Sequence, residues 1–192
     1  MIIAIEGMDG VGKTTIANEV AKIINFSVID HPLKKLIYST QDASVLANIE
    51  IEVCKSSNKV FTSWFYGLSN IFLCEAYREQ NIIIDRHILS NFCWSGAEDS
   101  EFVFDAINKA IGNPAYTVLL YATPERILER MQKRDPNDKD LKKIAYIDCG
   151  YSKMKYIMQK YIMTGTVINT SNLSINEVVQ IIIEKLKENN IV

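Results

Sequence analysis

The chain has 192 residues, 48% of them hydrophobic and 23% charged, enough for one domain with a substantial core. Its formal net charge of -2, with no basic tail or block, speaks against nucleic acid or an anionic membrane surface as the main partner. No apolar run approaches the ~20 residues of a transmembrane helix, and Cys54, Cys74, Cys93 and Cys149 fit neither zinc nor C-x-x-C spacing. The first residues run straight into an apolar stretch without a charged leader, so a cytoplasmic protein with reduced thiols is expected.

Ile2, Ile3 and Ile5 form a short β-branched run, predicted as a buried strand. Gly7, Gly10 and Gly12 follow, and a helix is predicted over Lys13 to Ile24, with Ile16, Ala17, Val20 and Ala21 on its apolar face. Gly7-x-x-x-x-Gly12-Lys13-Thr14 is the phosphate-binding pattern G-x-x-x-x-G-K-[ST] in a strand–loop–helix setting. The physical need is specific. Backbone N–H groups must wrap a polyphosphate, so glycines are required where φ is positive or a side chain would intrude. The helix N-terminus adds unpaired N–H groups and partial positive charge. Gly10, Val11, Gly12, Lys13, Thr14 and Thr15 are therefore the expected phosphate cradle. Lys13 is placed to reach the β- and γ-phosphates of ATP, and the Thr14 hydroxyl to bind Mg²⁺.

Residues 26–29 alternate and are predicted as a second strand, ending at Asp30-His31-Pro32, where Pro32 cannot donate to a ladder. Residues 33–57 have a patchy helical pattern. Phe61, Phe65, Leu68 and Phe72 share one face, so a long helix is predicted over 59–80. Ile82-Ile83-Ile84-Asp85 reads as a buried strand ending in a carboxylate. Helices are expected at 88–97 and 101–111, stopped by Gly112-Asn113-Pro114, and then a strand over 116–121. Thr123-Pro124 starts a helix that runs through Arg134. The charged loop 135–140 has no apolar anchor. A helix containing Ile144, Ile147, Tyr151, Met154, Met158 and Tyr161 follows, then a strand at 166–168 and a last helix announced by the capping box Ser174-x-x-Glu177. Alternating strands and helices predict an α/β three-layer sandwich: a five-stranded parallel sheet covered by helices on both faces, in a single domain over 1–192. The site is expected at the carboxyl edge of the strands, near residues 7–14 and 85–87.

Glu6-Gly7-Met8-Asp9-Gly10-Val11-Gly12-Lys13-Thr14-Thr15 resembles the E-G-x-D-G-x-G-K-T-T loop of thymidylate kinases. Asp85-Arg86-His87 resembles that family's D-R-[YH] motif, with Ser90 and Gly96 in its continuation. Pro114, Thr123-Pro124-Glu125, Arg130, Arg134 and the Asn169-Thr170-Ser171 turn also fit in order, so the resemblance spans nearly the whole chain. It implies the P-loop kinase fold, ATP and Mg²⁺ as cofactors, a small nucleotide acceptor and a homodimer. Asp9 would then bind the acceptor's sugar hydroxyl, Asp85 would join Thr14 at Mg²⁺, and Arg86 would bind phosphate. Residues 135–140 would form a lid, with Arg130 and Arg134 as its catalytic arginines. Thr170 would lie beside the ATP, and Phe61 and Trp94 beside the acceptor.

The acceptor half departs from the family. Asp30-His31-Pro32 stands where an arginine is usual, and so does the Trp64-Phe65 region. Cys93-Trp94-Ser95-Gly96 replaces the thymine-reading A-Y-Q-G run. The expected activity is phosphotransfer from ATP to a deoxynucleoside monophosphate, with thymidylate a poor substrate beside another base or a less charged acceptor. A kinase of a nucleoside or other small acceptor and a non-catalytic ATP-binding regulator are the alternatives.

Overall fold

The computed structural model describes residues 1–30 and 43–192. Of the segment read as helical over 33–57, positions 33–42 lie outside the described residues. The strands are β1 (Ile2–Gly7), β2 (Ser27–Asp30), β3 (Ile82–Asp85), β4 (Tyr116–Tyr121) and β5 (Gly165–Asn169). Among the described residues there are eight α-helices: α1 (Lys13–Ile24), α2 (Ala43–Cys54), α3 (Lys59–Ala76), α4 (Ile88–Ser95), α5 (Glu101–Ile111), α6 (Pro124–Arg134), α7 (Ile147–Lys160) and α8 (Ile175–Glu188). A 3₁₀ segment over Lys139–Tyr146 leads into α7.

The five strands form one sheet in the order β2-β3-β1-β4-β5, every pair parallel. Parallel strands covered on both faces read as continuous apolar runs, which explains Ile2–Ile5 and Ile82–Ile84. The pleat sends Ala4, Ile29, Ile82 and Ile84 to one side, where they pack with Leu73 of α3. Ile3, Ile5 and Ile83 face the other side and join the main core with Ile16 and Val20 of α1.

Several boundaries differ from the sequence pattern, each for a local reason. Asn25 ends α1 in the left-handed region at φ 57°, and Phe26 N–H donates to Ala21 O at 3.1 Å. Phe26 thus completes the helix cap, and β2 starts at Ser27. The third helix stops at Ala76, short of 80, where Tyr77 N–H caps Leu73 O and the chain turns. The segment holding Ile144 is 3₁₀, and regular helix starts at Ile147.

At the far edge, Gly165 lets β5 approach β4 closely. A Cβ there would collide with the Thr117 carbonyl oxygen and meet Met158 Cε at 2.8 Å. Because the neighbour is backbone, relief requires the ladder to open. Gly165→Ala is expected to destabilise the fold by about 1–3 kcal/mol, read as a lower urea midpoint with the slope unchanged.

Candidate active site

The site grows from the carboxyl end of the central strand. Ile5 of β1 is in register with Asp85 of β3, so the loop after β1 and the turn after β3 emerge side by side. In the loop, Gly10 and Gly12 have φ of 79° and 104°. Around Gly12 an added Cβ would meet nothing within 4 Å, so conformation and not space selects glycine there. Gly12 O accepts Ile16 N–H at 3.0 Å and begins α1. The Lys13 side chain is buried, its Nζ donating to Met8 O at 2.9 Å. Burial, then the neighbouring Arg86 charge, lowers the Lys13 pKa to about 8 against the opposing pull of Asp85, Asp9 and Glu6. A bound polyphosphate would hold the ammonium charged.

The turn after β3 is strained. Arg86 is not glycine, yet its φ is 79°. Two contacts fix it. Arg86 N–H donates to Ile5 O at 3.1 Å, and its Nη2 pairs with Asp9. Glu6, fully buried on β1, accepts Leu89 N–H at 2.9 Å, Ser90 N–H at 3.2 Å and the Ser90 hydroxyl. One carboxylate therefore satisfies the first turn of α4 and bolts it to the central strand.

Asp9 has a cation on each oxygen: Arg86 on Oδ1, and Lys143 at 2.8 Å on Oδ2. Burial works to raise its pKa, but Arg86 and Lys143 outweigh it and hold the carboxyl at about 2. The Thr14 hydroxyl donates to Asp85 Oδ2, while Asp85 Oδ1 and Arg86 Nη1 are buried without a partner among the described residues. A spare carboxylate oxygen beside a threonine hydroxyl fits a hard cation such as Mg²⁺, and a spare guanidinium N–H fits a phosphate oxygen. Among the described residues no group of three or more His, Cys, Asp or Glu could hold a metal alone, so phosphate oxygens would have to complete the shell.

Asp9, Gly10, Gly12, Lys13, Thr14, Thr15, Asp85, Arg86, Arg130 and Arg134 all line one cleft of about 430 Å³. Asp30 and Asp140 line it too. The two arginines differ. Arg130 is committed, donating to Val11 O at 3.3 Å, Thr170 Oγ1 at 3.1 Å and Thr170 O at 2.6 Å. It clasps the back of the phosphate loop to the end of β5. Arg134 pairs with Asp138 in the loop after α6 and is largely exposed. Val11 and Thr170 line a second, mainly apolar slot of about 330 Å³ with Ile16, Leu173 and Val178. Phe61 is half exposed at the first turn of α3 and does not line the cleft. Trp94 borders a separate cavity of about 250 Å³ with Met8, Cys93 and Tyr146. Ser95 Oγ donates to Asn91 O at 2.5 Å.

Sequence reasoning assigned no role to Glu6 or Lys143, took Asp140 only as part of the 135–140 loop, and took Asp30 only as a departure. A carboxylate inside an apolar strand was a usable signal for Glu6, because it needs buried donors. Nothing in Lys142-Lys143 distinguishes the second lysine before the chain is folded.

A parallel α/β sheet with this loop at its central strand, and a carboxylate–arginine turn beside it, defines a P-loop nucleotide kinase, a phosphotransferase. The thymidylate kinase family profile matches residues 5–182, and the chain belongs to that family. Membership implies ATP as phosphoryl donor and a nucleotide substrate class. The chain is 29% identical over 147 residues to a probable thymidylate kinase of Archaeoglobus fulgidus, covering 70% of each. Its fold is similar to that of Candida albicans thymidylate kinase, with TM-score 0.69, 17% identity and coverage of 98% and 92%. It is similar as well to deoxyadenosine kinase of M. mycoides, with TM-score 0.68, 19% identity and coverage of 98% and 100%. No helix among the described residues is long and apolar enough to cross a membrane.

Two expectations follow from this geometry. Lys13→Ala should lower kcat by at least about 10²-fold while the fold survives, because a lysine at this point of a phosphate loop would stabilise charge on a transferring phosphoryl group; near-normal turnover by a folded variant would remove the assignment. His87, buried with both ring nitrogens unpartnered, has its pKa lowered by burial to about 4. As pH falls from about 6.5 to 4 the unfolded chain binds a proton that the folded state refuses, so stability falls by up to about 3 kcal/mol. His87→Phe should remove that component, read by comparing unfolding free energies of the two proteins at pH 7 and 4.

Proposed function

We propose that this enzyme transfers the γ-phosphoryl group of Mg²⁺-ATP to a deoxynucleoside 5′-monophosphate, thymidylate among them. An oxygen of the acceptor phosphate forms the new P–O bond as the bond to the β–γ bridging oxygen breaks, leaving ADP. Such transfer needs positioning and charge neutralisation more than covalent chemistry. The observation that carries the reading is the pairing of Thr14 with Asp85 and of Arg86 with Asp9 beside one cleft, with Asp85 Oδ1 and Arg86 Nη1 buried and without a partner among the described residues. Lys13 and Arg86 would neutralise the phosphate oxygens, with Arg134 released from Asp138 when the lid closes. Thr14 and Asp85 would hold Mg²⁺, which would supply charge stabilisation at the β- and γ-phosphate oxygens. The apolar slot of Val11, Leu173 and Val178, walled by Arg130, suits the flat donor base. Asp9 would receive the acceptor's sugar hydroxyl, and Trp94 or Phe61 would offer ring area to its base.

Base selection at Ser95 is weak in this reading. Its hydroxyl is already committed to Asn91 O, so no paired hydrogen bonds to thymine come from it. A homodimer and a cytoplasmic location belong to the same proposal. Phe61, Trp64 and Leu68 leave an exposed apolar stripe on α3 that a second copy would cover.

One observation favours a second reading, a nucleoside kinase. Asp30, opposite Asp85 in the β2–β3 register, lines the cleft. A carboxylate there repels an acceptor phosphate but can accept a hydrogen bond from a free hydroxyl. A regulator without phosphotransfer is disfavoured, because Lys13, Thr14, Asp85 and Arg86 are all in place. The test is ADP release from Mg²⁺-ATP with the four deoxynucleotides and the free nucleosides. A monophosphate should be turned over with kcat/KM of about 10⁴ M⁻¹s⁻¹ or more and exceed every nucleoside at least about tenfold. Preference for a nucleoside would select the second reading, and no turnover with any of them would sink both.

A further inference from the structure

Lys143 stands where three elements meet. Its Nζ lies 2.8 Å from Asp9 Oδ2 on the phosphate loop and 2.7 Å from Asp140 Oδ1 at the lid. It is also 4.9 Å from the centroid of the Trp94 ring on α4. An exposed ion pair of this kind is usually worth little. Here the carboxylate is the sunken partner, with the Asp9 side chain 15% exposed against 41% for Lys143. Arg86 holds the other Asp9 oxygen from the turn after β3. A carboxylate gripped on both oxygens by cations from separate elements has one orientation open to it. Removing Lys143 leaves Asp9 free to turn about its bond to Arg86. The neighbouring Lys142 is exposed and makes no comparable contact among the described residues.

We propose that Lys143 is a positioning residue for the acceptor: it fixes Asp9 from the lid side, so that the 139–146 segment and the acceptor-binding carboxylate move as one unit. This rests on the acceptor role proposed above for Asp9. Asp140 gives the ammonium a second carboxylate when an acceptor hydroxyl arrives at Asp9, so the lysine can yield part of its hold without becoming unpaired. The Trp94 ring supplies a third favourable surface at the same point.

The consequence is a split between the two substrates. Lys143→Met should raise the acceptor KM about tenfold, with ATP KM changed less than about twofold. Lys143→Arg should restore most of the acceptor KM, and Lys142→Met, which removes the same charge one residue away, should leave both constants unchanged. An unchanged acceptor KM in Lys143→Met, or an equal rise for both substrates, would overturn the proposal.

A second measurement needs no turnover. Trp64 and Trp94 are the two tryptophans, so Trp64→Phe leaves Trp94 as the sole reporter. In that background Lys143→Met should shift Trp94 emission and speed amide exchange over 139–146, while Lys142→Met does neither. Unaltered emission and exchange would overturn the coupling even if some substrate is turned over. Should the substrate panel give no turnover at all, the functional reading fails, and this measurement still decides whether Lys143 holds the lid to the loop.

Discussion

The site depends on a buried seam of charge between the central strand and the turn beside it. Glu6 accepts the N–H groups that open α4, Asp9 pairs with Arg86, and Thr14 donates to Asp85. Each link joins residues more than 70 positions apart in the chain. Without Glu6 the first turn of α4 would bury unsatisfied donors, at a cost of roughly 1–3 kcal/mol for each group. Beside it, the Ile5 carbonyl and Asp9 hold Arg86 at a φ that its side chain would otherwise avoid. The strain sits at the turn that aims a guanidinium back at the phosphate loop.

Charge in the cleft is balanced but unevenly free. Asp9 pairs with two cations, Arg130 binds the Val11 and Thr170 carbonyls, and Arg134 pairs with Asp138. Among the described residues, one oxygen of Asp85 and one nitrogen of Arg86 are buried without a partner, and the Lys13 ammonium donates to a loop carbonyl. A buried polar atom left without a partner is expensive, and these two belong to residues that line the cleft. They lie at the carboxyl edge of the sheet, between the loop after β1 and the turn after β3, where open parallel sheets leave a crevice.

The two sides of the cleft differ in definition. Val11, Arg130 and Thr170 form a rigid back wall, because the arginine binds main-chain oxygens that cannot move far. The opposite side is built from side chains that hold one another: Lys143 against Asp9, Asp140 and the Trp94 ring. Contacts between partly exposed charged side chains rearrange at small cost.

The sequence by itself determined the element types, the parallel sheet and the phosphate loop, because period, turn residues and glycine spacing are local properties. The loop pattern and the Asp85-Arg86-His87 turn also sufficed to point to the family. Boundaries moved by a few residues where caps took them, as at Phe26 and Tyr77. Tertiary structure alone decided how the charged residues are used. Arg130 and Arg134 share one helical face, yet one clasps Thr170 and the other pairs with Asp138. Lys142 and Lys143 are identical neighbours, yet only the second reaches Asp9. Those outcomes depend on strand order and on which carboxylate lies within reach after folding, and no local pattern encodes a distance across the chain.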